Sequence, residues 1–178
     1  MRISRTLAGC VVGLLASAAC AGEARNRLTD ANTKIEFTGT KPGGKHDGGF
    51  KRVTGEIILA DGAAARVDIE IDCSSLYSDN FMLTWHLKGA DFFNVKKHPK
   101  ARFTSTSIDR TETGYRITGN LTFLGVTKPV IFPAAITAGD ALRLNGAVAL
   151  NRQDFGMKYG KDKIDDLVEV RFSVDTGR

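Results

Sequence analysis

Cysteine is scarce in this chain: three in 178 residues, at positions 10, 20 and 73. The first two fall in an apolar leader, so Cys73 stands alone in the body of the chain and no internal disulfide can form there. At a strand end it reads as a buried, inert thiol. Histidine is equally sparse. His46, His86 and His98 stand 40 and 12 residues apart, a spacing that matches no compact ligand motif. Neither cysteine nor an acidic cluster accompanies them, so no metal and no other cofactor is expected. Ser105 and Thr106 lack a Gly-x-Ser-x-Gly elbow. Most carboxylates fall on outward strand positions. Of the carboxylates in or near the motifs described below, Asp91, Asp154 and Asp165, the first two read as caps or turn-formers. Without a nucleophile beside a base, or two carboxylates in contrasting environments, no enzyme is expected. There is also no strand–helix–strand rhythm, no internal repeat and no low-complexity tract. Charge leans mildly positive, 25 Lys and Arg against 20 Asp and Glu, which is no nucleic-acid footprint.

What is present begins with a leader. Met1-Arg-Ile-Ser-Arg is a short basic start, and residues 6–19 are apolar and small, too short a run for a mature membrane span. Residues 1–20 are therefore expected to be an export signal. Ala18 and Ala19 directly before Cys20 fit a lipoprotein cleavage site, which would make Cys20 a lipidation site. Ser17 stands where Leu is usual, and ordinary cleavage after Ala18 or Ala21 is the alternative. Losing Arg2 and Arg5 takes the formal net charge from +5 to +3. About 158 residues remain, enough for one domain with its own core. By resemblance to bacterial sorting rules, Ala21 does not hold a lipoprotein in the inner membrane. The expected location is the periplasm, with an outer-membrane anchor if Cys20 is modified. Residues 21–32 show no periodicity and read as a polar tether, and 33–176 as the single domain.

The domain is patterned as strands. Residues 66–72, Arg-Val-Asp-Ile-Glu-Ile-Asp, alternate strictly, with Val67, Ile69 and Ile71 on one side and charges on the other. Such alternation gives one wet face and one buried face, as in the wall of an antiparallel sheet or barrel. The same period runs through Ile35 and Phe37; Val53, Ile57 and Leu59; residues 101–108; Tyr115, Ile117, Leu121 and Phe123; residues 126–136; Leu142, Leu144, Val148 and Leu150; and Val168, Val170, Phe172 and Val174. Pro129 and Pro133 mark the sixth of these eight runs as an edge or a broken strand. Gly48 and Gly49 suggest a bend or bulge before Phe50. Eight antiparallel strands can close into a barrel wide enough for one small ligand; a flat β-sandwich is the structural alternative.

One stretch, 79–106, breaks the pattern. It holds the only Trp, two of the three His, the Phe92–Phe93 pair and a Lys/His run. Ser78, Asp79 and Asn80 offer N-cap oxygens, Phe81, Met82, Leu83, Trp85 and Leu87 follow at helical spacing, and Gly89 stops the helix. Asp91 can cap a second short turn before Pro99 forces extension. The expected fold is all-β, an eight-stranded antiparallel lipocalin-like barrel with a short helical insertion at about 79–98 that plugs one end.

Three pieces of sequence carry a family resemblance. They are His86-Leu-Lys-Gly-Ala-Asp-Phe-Phe-Asn-Val-Lys-Lys-His-Pro-Lys-Ala-Arg-Phe-Thr-Ser-Thr, then Gly119-Asn-Leu-Thr-Phe-Leu-Gly-Val-Thr-Lys-Pro-Val, and Asn151-Arg-Gln-Asp-Phe-Gly-Met. In this order they resemble the YceI-like family of exported lipid-binding proteins. The N-terminal third departs from the family's pattern, with Lys45-His46-Asp47-Gly48-Gly49-Phe50 where a His usually leads into a Val/Gly/Phe turn. The resemblance implies a lipocalin-like barrel holding a long isoprenoid chain, such as a polyprenyl phosphate or a quinone, and hints at a homodimer. Burying one five-carbon isoprene unit is worth roughly 4 kcal/mol gross at about 0.8 per carbon, so no catalytic group is needed, only an apolar tube. The residues expected to line it are Phe37, Phe81, Trp85, Phe92, Phe93, Phe103, Leu121, Phe123, Phe155 and Met157. His46, His86 or Lys128 would hold a polar head group. The run Lys96-Lys-His-Pro-Lys reads as a solvated face, or more sharply as a docking patch for anionic lipid head groups and hence a membrane contact. The alternatives are a calycin-like barrel enzyme acting on a small hydrophobic substrate, and a stress-protection module without a ligand.

Overall fold

The computed structural model describes residues 22–177; the leader and Cys20 lie outside the described residues. Alternating sequence becomes alternating burial throughout. In β2 (Thr33–Lys41), Thr33, Ile35 and Phe37 are buried and the residues between them are exposed. The next strands are β3 (Gly44–Phe50), β4 (Val53–Ala60) and β5 (Ala63–Asp72), followed by the short β6 (Leu76–Ser78). The helix α1 (Phe81–Lys88) and an irregular run lead to β7 (Lys100–Thr111), β8 (Gly114–Phe123), β9 (Val126–Thr137), β10 (Arg143–Asn151) and β11 (Leu167–Asp175). Ahead of them all lies β1 (Glu23–Leu28).

These form one curled antiparallel sheet of eleven strands in the order β1-β4-β5-β7-β8-β9-β10-β11-β2-β3-β6. The eight-strand expectation is thus corrected by β1, β3 and β6. Residues 21–32 are more than a tether: β1 pairs with β4 over six residues, and Leu28 is fully buried. Its polar sequence, Glu-Ala-Arg-Asn-Arg-Leu, hides the strand because only its last residue reaches the core. Likewise β3 carries no bulge; it runs in continuous register with β2. Its glycines serve close approach. A Cβ on Gly48 would sit 2.5 Å from both Phe37 Cζ and the Tyr77 carbonyl oxygen, so the Phe37 ring lies over the space that Gly48 leaves.

Between β9 and β10 the ladder covers only residues 134–137 against 143–146. Residues 126–133 have β8 as their one neighbour, and this is where Pro129 and Pro133 sit. A strand with a free side accommodates residues that cannot donate.

The interior divides into two levels. One is packed solid: Val53, Ile57, Val67, Ile117 and Leu144 surround Phe103, whose ring lies 5.4 Å from Phe132, itself 4.9 Å from Phe172. The other gathers Phe37, Leu76, Leu87, Phe92 and Met157 beneath α1.

Candidate functional site: an apolar cavity beneath the helix

The second level is not filled. It encloses a cavity of about 690 Å³ reaching from β2, β3 and β5 across to β8, β10 and β11. Phenyl rings run along its wall. Phe50 lies 6.0 Å from Phe37 and 5.8 Å from Phe93, Phe93 is 5.2 Å from Phe123, and Phe123 is 5.6 Å from Phe155. These are edge and tilted contacts at the separations aromatic pairs prefer. Among the described residues that line it there is no Asp, Glu, Ser or Cys.

The roof is α1. Asn80 caps it, its side-chain oxygen accepting the Leu83 N–H at 3.0 Å, and the Gly89 N–H closes the other end on the His86 carbonyl at 2.9 Å. The chain folds straight back: Phe93 N–H donates to the Leu87 carbonyl and Asn94 N–H to that of Gly89. This return, with Asn94 in the left-handed region (φ 41°), presents Phe92 and Phe93 to the cavity in place of the second capped turn expected from Asp91. Leu83, His86 and Leu87 face inward. Phe81, Met82 and Trp85 point the other way and are 82%, 69% and 73% exposed.

The opposite lip is the loop 156–166, held by Arg152. This arginine is only 4% exposed. Its guanidinium donates to the carbonyls of Met157 (2.9 Å), Tyr159 (2.6 Å), Ile164 (3.0 Å) and Asp165 (3.1 Å), and to the Asp166 carboxylate (3.1 Å). A buried arginine is tolerated when its donors are matched in this way. The two lips meet where His86, Phe92 and Tyr159 pack with ring centres 5.0–5.1 Å apart.

The cavity brings together Phe37, Phe92, Phe93, Leu121, Phe123, Phe155 and Met157, with His46 and His86 at its margin. His46 Nδ1 lies 3.1 Å from Asp79 and His86 Nε2 3.3 Å from Asp91. Four placements differ from the sequence expectation. Phe103 belongs to the solid level. Phe81 and Trp85 do share a helix face, but the outward one. Lys128, the register partner of Leu121 on β9, is exposed and does not reach the lining. Sequence reasoning passed over Arg152, Tyr159, Lys41, Lys161 and Lys163, all of which line the cavity or its rim.

A family model described as the YceI-like domain matches residues 27–176. The chain belongs to the YceI-like family. A UPF0312 protein of Pseudomonas putida (strain GB-1) is 34% identical to this YceI-like chain over 120 residues, 63% of the chain. The chain covers 62% of that relative's length. Among solved structures, Burkholderia cenocepacia BcnA superimposes with a TM-score of 0.76 at 23% identity, over 83% of the chain and 98% of BcnA. A Saccharophagus degradans domain, described as a polyisoprenoid binding domain implicated in plant cell wall breakdown, gives 0.69 at 13% identity over 86% and 98%. These two likenesses establish the fold of the YceI-like domain.

Proposed function

We propose that this protein is an exported, non-catalytic carrier. It holds the tail of a long-chain isoprenoid-type lipid, a polyprenyl phosphate or a quinone, in the cavity beneath α1. The observation that carries this reading is the wall, a run of five phenyl rings with no lining carboxylate, hydroxymethyl or thiol side chain. A pocket so lined binds by removing apolar surface from water. The curled sheet, solid at one level and hollow at the other, supports a lipocalin-like mode of holding such a tail. The description of the Saccharophagus degradans domain points the same way. The enzyme alternative is served less well: the rings of His46 and His86 are each engaged by a carboxylate, Asp79 and Asp91, and the Thr40 hydroxyl donates to Asp165 and not to a histidine base. Export to the periplasm, with an outer-membrane anchor on Cys20, rests on the leader sequence.

A carrier has to meet a bilayer, and α1 offers the contact. Phe81, Met82 and Trp85 stand in solvent on the helix whose other face roofs the cavity. Lys88, Lys96 and Lys97 lie on the same segment and, among the described residues, none has a carboxylate within salt-bridge distance. Exposed aromatics beside uncompensated lysines suit an anionic lipid surface.

Native mass spectrometry of protein purified gently from its host tests the carrier: a co-purifying isoprenoid is the expected result. Lipid-free preparations that also ignore added prenyl lipid refute it. For the contact, Trp85 emission shifts to the blue with anionic vesicles and stays unmoved with neutral ones. A homodimer that covers Trp85 instead, seen by sedimentation, would replace the bilayer as the occupant of this face.

A further inference from the structure

The rim of the cavity is cationic. Besides His46 and His86, the side chains that line it and also reach solvent include Lys41, Lys161 and Lys163. These come from two distant parts of the chain, and the fold joins them. Lys41 ends β2. Directly before it, Thr40 donates its hydroxyl to the Asp165 carboxylate at 2.6 Å, and the Asp165 N–H returns a bond to the Thr40 carbonyl at 2.9 Å. That double tie draws the loop carrying Lys161 and Lys163 against the end of β2. Arg152 fixes the same loop from inside through the Ile164 and Asp165 carbonyls. The turn itself closes with the Lys163 and Ile164 N–H groups both donating to the Gly160 carbonyl.

None of the three lysines is ion-paired with a neighbouring carboxylate. Asp165 accepts the neutral Thr40 hydroxyl and keeps its charge, but is not paired with a lysine. Asp162, between the two loop lysines, is exposed and outside the lining. Asp47 takes Lys45 at 3.2 Å, and Asp79 and Asp91 hold the two histidines. Among the described residues no carboxylate lies within salt-bridge distance of Lys41, Lys161 or Lys163. Three ammonium groups around one opening repel each other, and a neutral head group such as a quinone or an alcohol relieves none of that repulsion. An anion reduces it, and flexible ammonium groups act on phosphate as point charges from several directions.

We infer that Lys41, Lys161 and Lys163 form a head-group site for a phosphate or diphosphate ester. The preferred ligand is then an anionic prenyl lipid whose tail lies among the phenyl rings. This rests on the carrier reading and selects between its two ligand classes.

The test is a competition assay on the intact protein. Geranylgeranyl phosphate, geranylgeraniol and inorganic phosphate are each titrated as competitors against a neutral fluorescent prenyl probe. The readout is the ratio of the phosphate ester's affinity to the alcohol's. At low ionic strength it is expected at about 10- to 100-fold, three exposed charge contacts acting together. It should fall toward one in K41Q/K161Q/K163Q, and toward one in the wild type as salt is raised to about 0.5 M, where the Debye length approaches a single contact distance. Lys34→Gln, exposed on the outward face at the start of β2, keeps the wild-type ratio. A wild-type ratio near one, or a ratio indifferent to both salt and the triple substitution, overturns the head-group site while leaving the tail site standing. Displacement by inorganic phosphate as effective as by the ester would make this a free-anion site and overturn the lipid assignment. If neither prenyl compound displaces the probe, the carrier reading itself fails.

Discussion

If the cavity holds an isoprenoid tail, affinity has to rise with tail length and then stop. A volume of about 690 Å³, at about 30 Å³ for each water-sized group of liquid, holds roughly 23 such groups. That is about four to five isoprene units. Each unit inside gains roughly 4 kcal/mol gross from its five carbons, and ordering its torsions returns about 1–2 kcal/mol of that. The net 2–3 kcal/mol corresponds to about 30- to 150-fold tighter binding per unit. A series of prenyl phosphates of two, three, four, six and eight units, run by competition below their aggregation concentrations, therefore rises steeply to four or five units and flattens beyond. Phe93→Asp, which puts a carboxylate into the middle of the ring chain, lowers the steep part for every length. A slope that continues unchanged to eight units would mean the tail lies somewhere larger than this cavity. Absence of any length dependence would mean that the phenyl-lined wall is not where the tail goes.

Arg152→Met removes five side-chain hydrogen bonds, with carbonyls of the loop left to find other partners. The expected loss is about 3 kcal/mol in urea unfolding, with faster amide exchange confined to residues 156–166. Gly48→Ala forces a Cβ to within 2.5 Å of the Phe37 ring and the Tyr77 carbonyl, which should cost about 1–3 kcal/mol and weaken prenyl binding as Phe37 swings into the cavity. Burial pushes the Cys73 thiol up to about 11, and the side chain is 1% exposed. It should resist iodoacetamide at pH 8 in the native state and react once urea unfolds the chain. Hydrogen bonds from Lys100 and Arg102 hold Glu70 below its ordinary 4.5. Its stabilising contribution is complete above that value and is lost as pH falls through the lower folded-state value, so Glu70→Gln should flatten the acid side of the stability profile.

Strand periodicity was readable because burial in a one-sided sheet follows every second residue, and eight runs of the chain obey it. It fails for β1, where a single Leu28 reaches the core, and for β3, whose inward positions are His46, Gly48 and Phe50, the glycine being covered by the Phe37 ring. An inward position that contributes space instead of a side chain breaks the hydrophobic alternation. Periodicity also says which face a residue takes and nothing about its level. Phe103 and Leu121 are register partners on adjacent strands, yet Phe103 packs in the solid level while Leu121 lines the cavity. The Phe103 ring lies over Gly119, two residues before Leu121, and that lean is settled by a glycine on a neighbouring strand, not by anything local to Phe103.

The helix shows the same limit and explains why its aromatics were misplaced. Apolar residues at 81, 82, 83, 85 and 87 spread around most of the helix and leave only a narrow polar strip at Thr84 and Lys88, so the inward face is not marked by a single apolar stripe. Phe81 and Trp85, four apart, share a face, and their expected place in the lining follows from taking that face as the inward one. In the fold, α1 has only one wall to roof, which Leu83, His86 and Leu87 occupy. Phe81, Met82 and Trp85 are left without a counterpart among the described residues. They are therefore poor reporters of cavity loading: Trp85 emission should barely respond to a short prenyl phosphate added without membranes. Its response to anionic vesicles should be the same whether the cavity is empty or full. If loading alone shifts Trp85 as strongly as vesicles do, the outward face and the cavity are coupled through α1, and the helix moves when a tail enters.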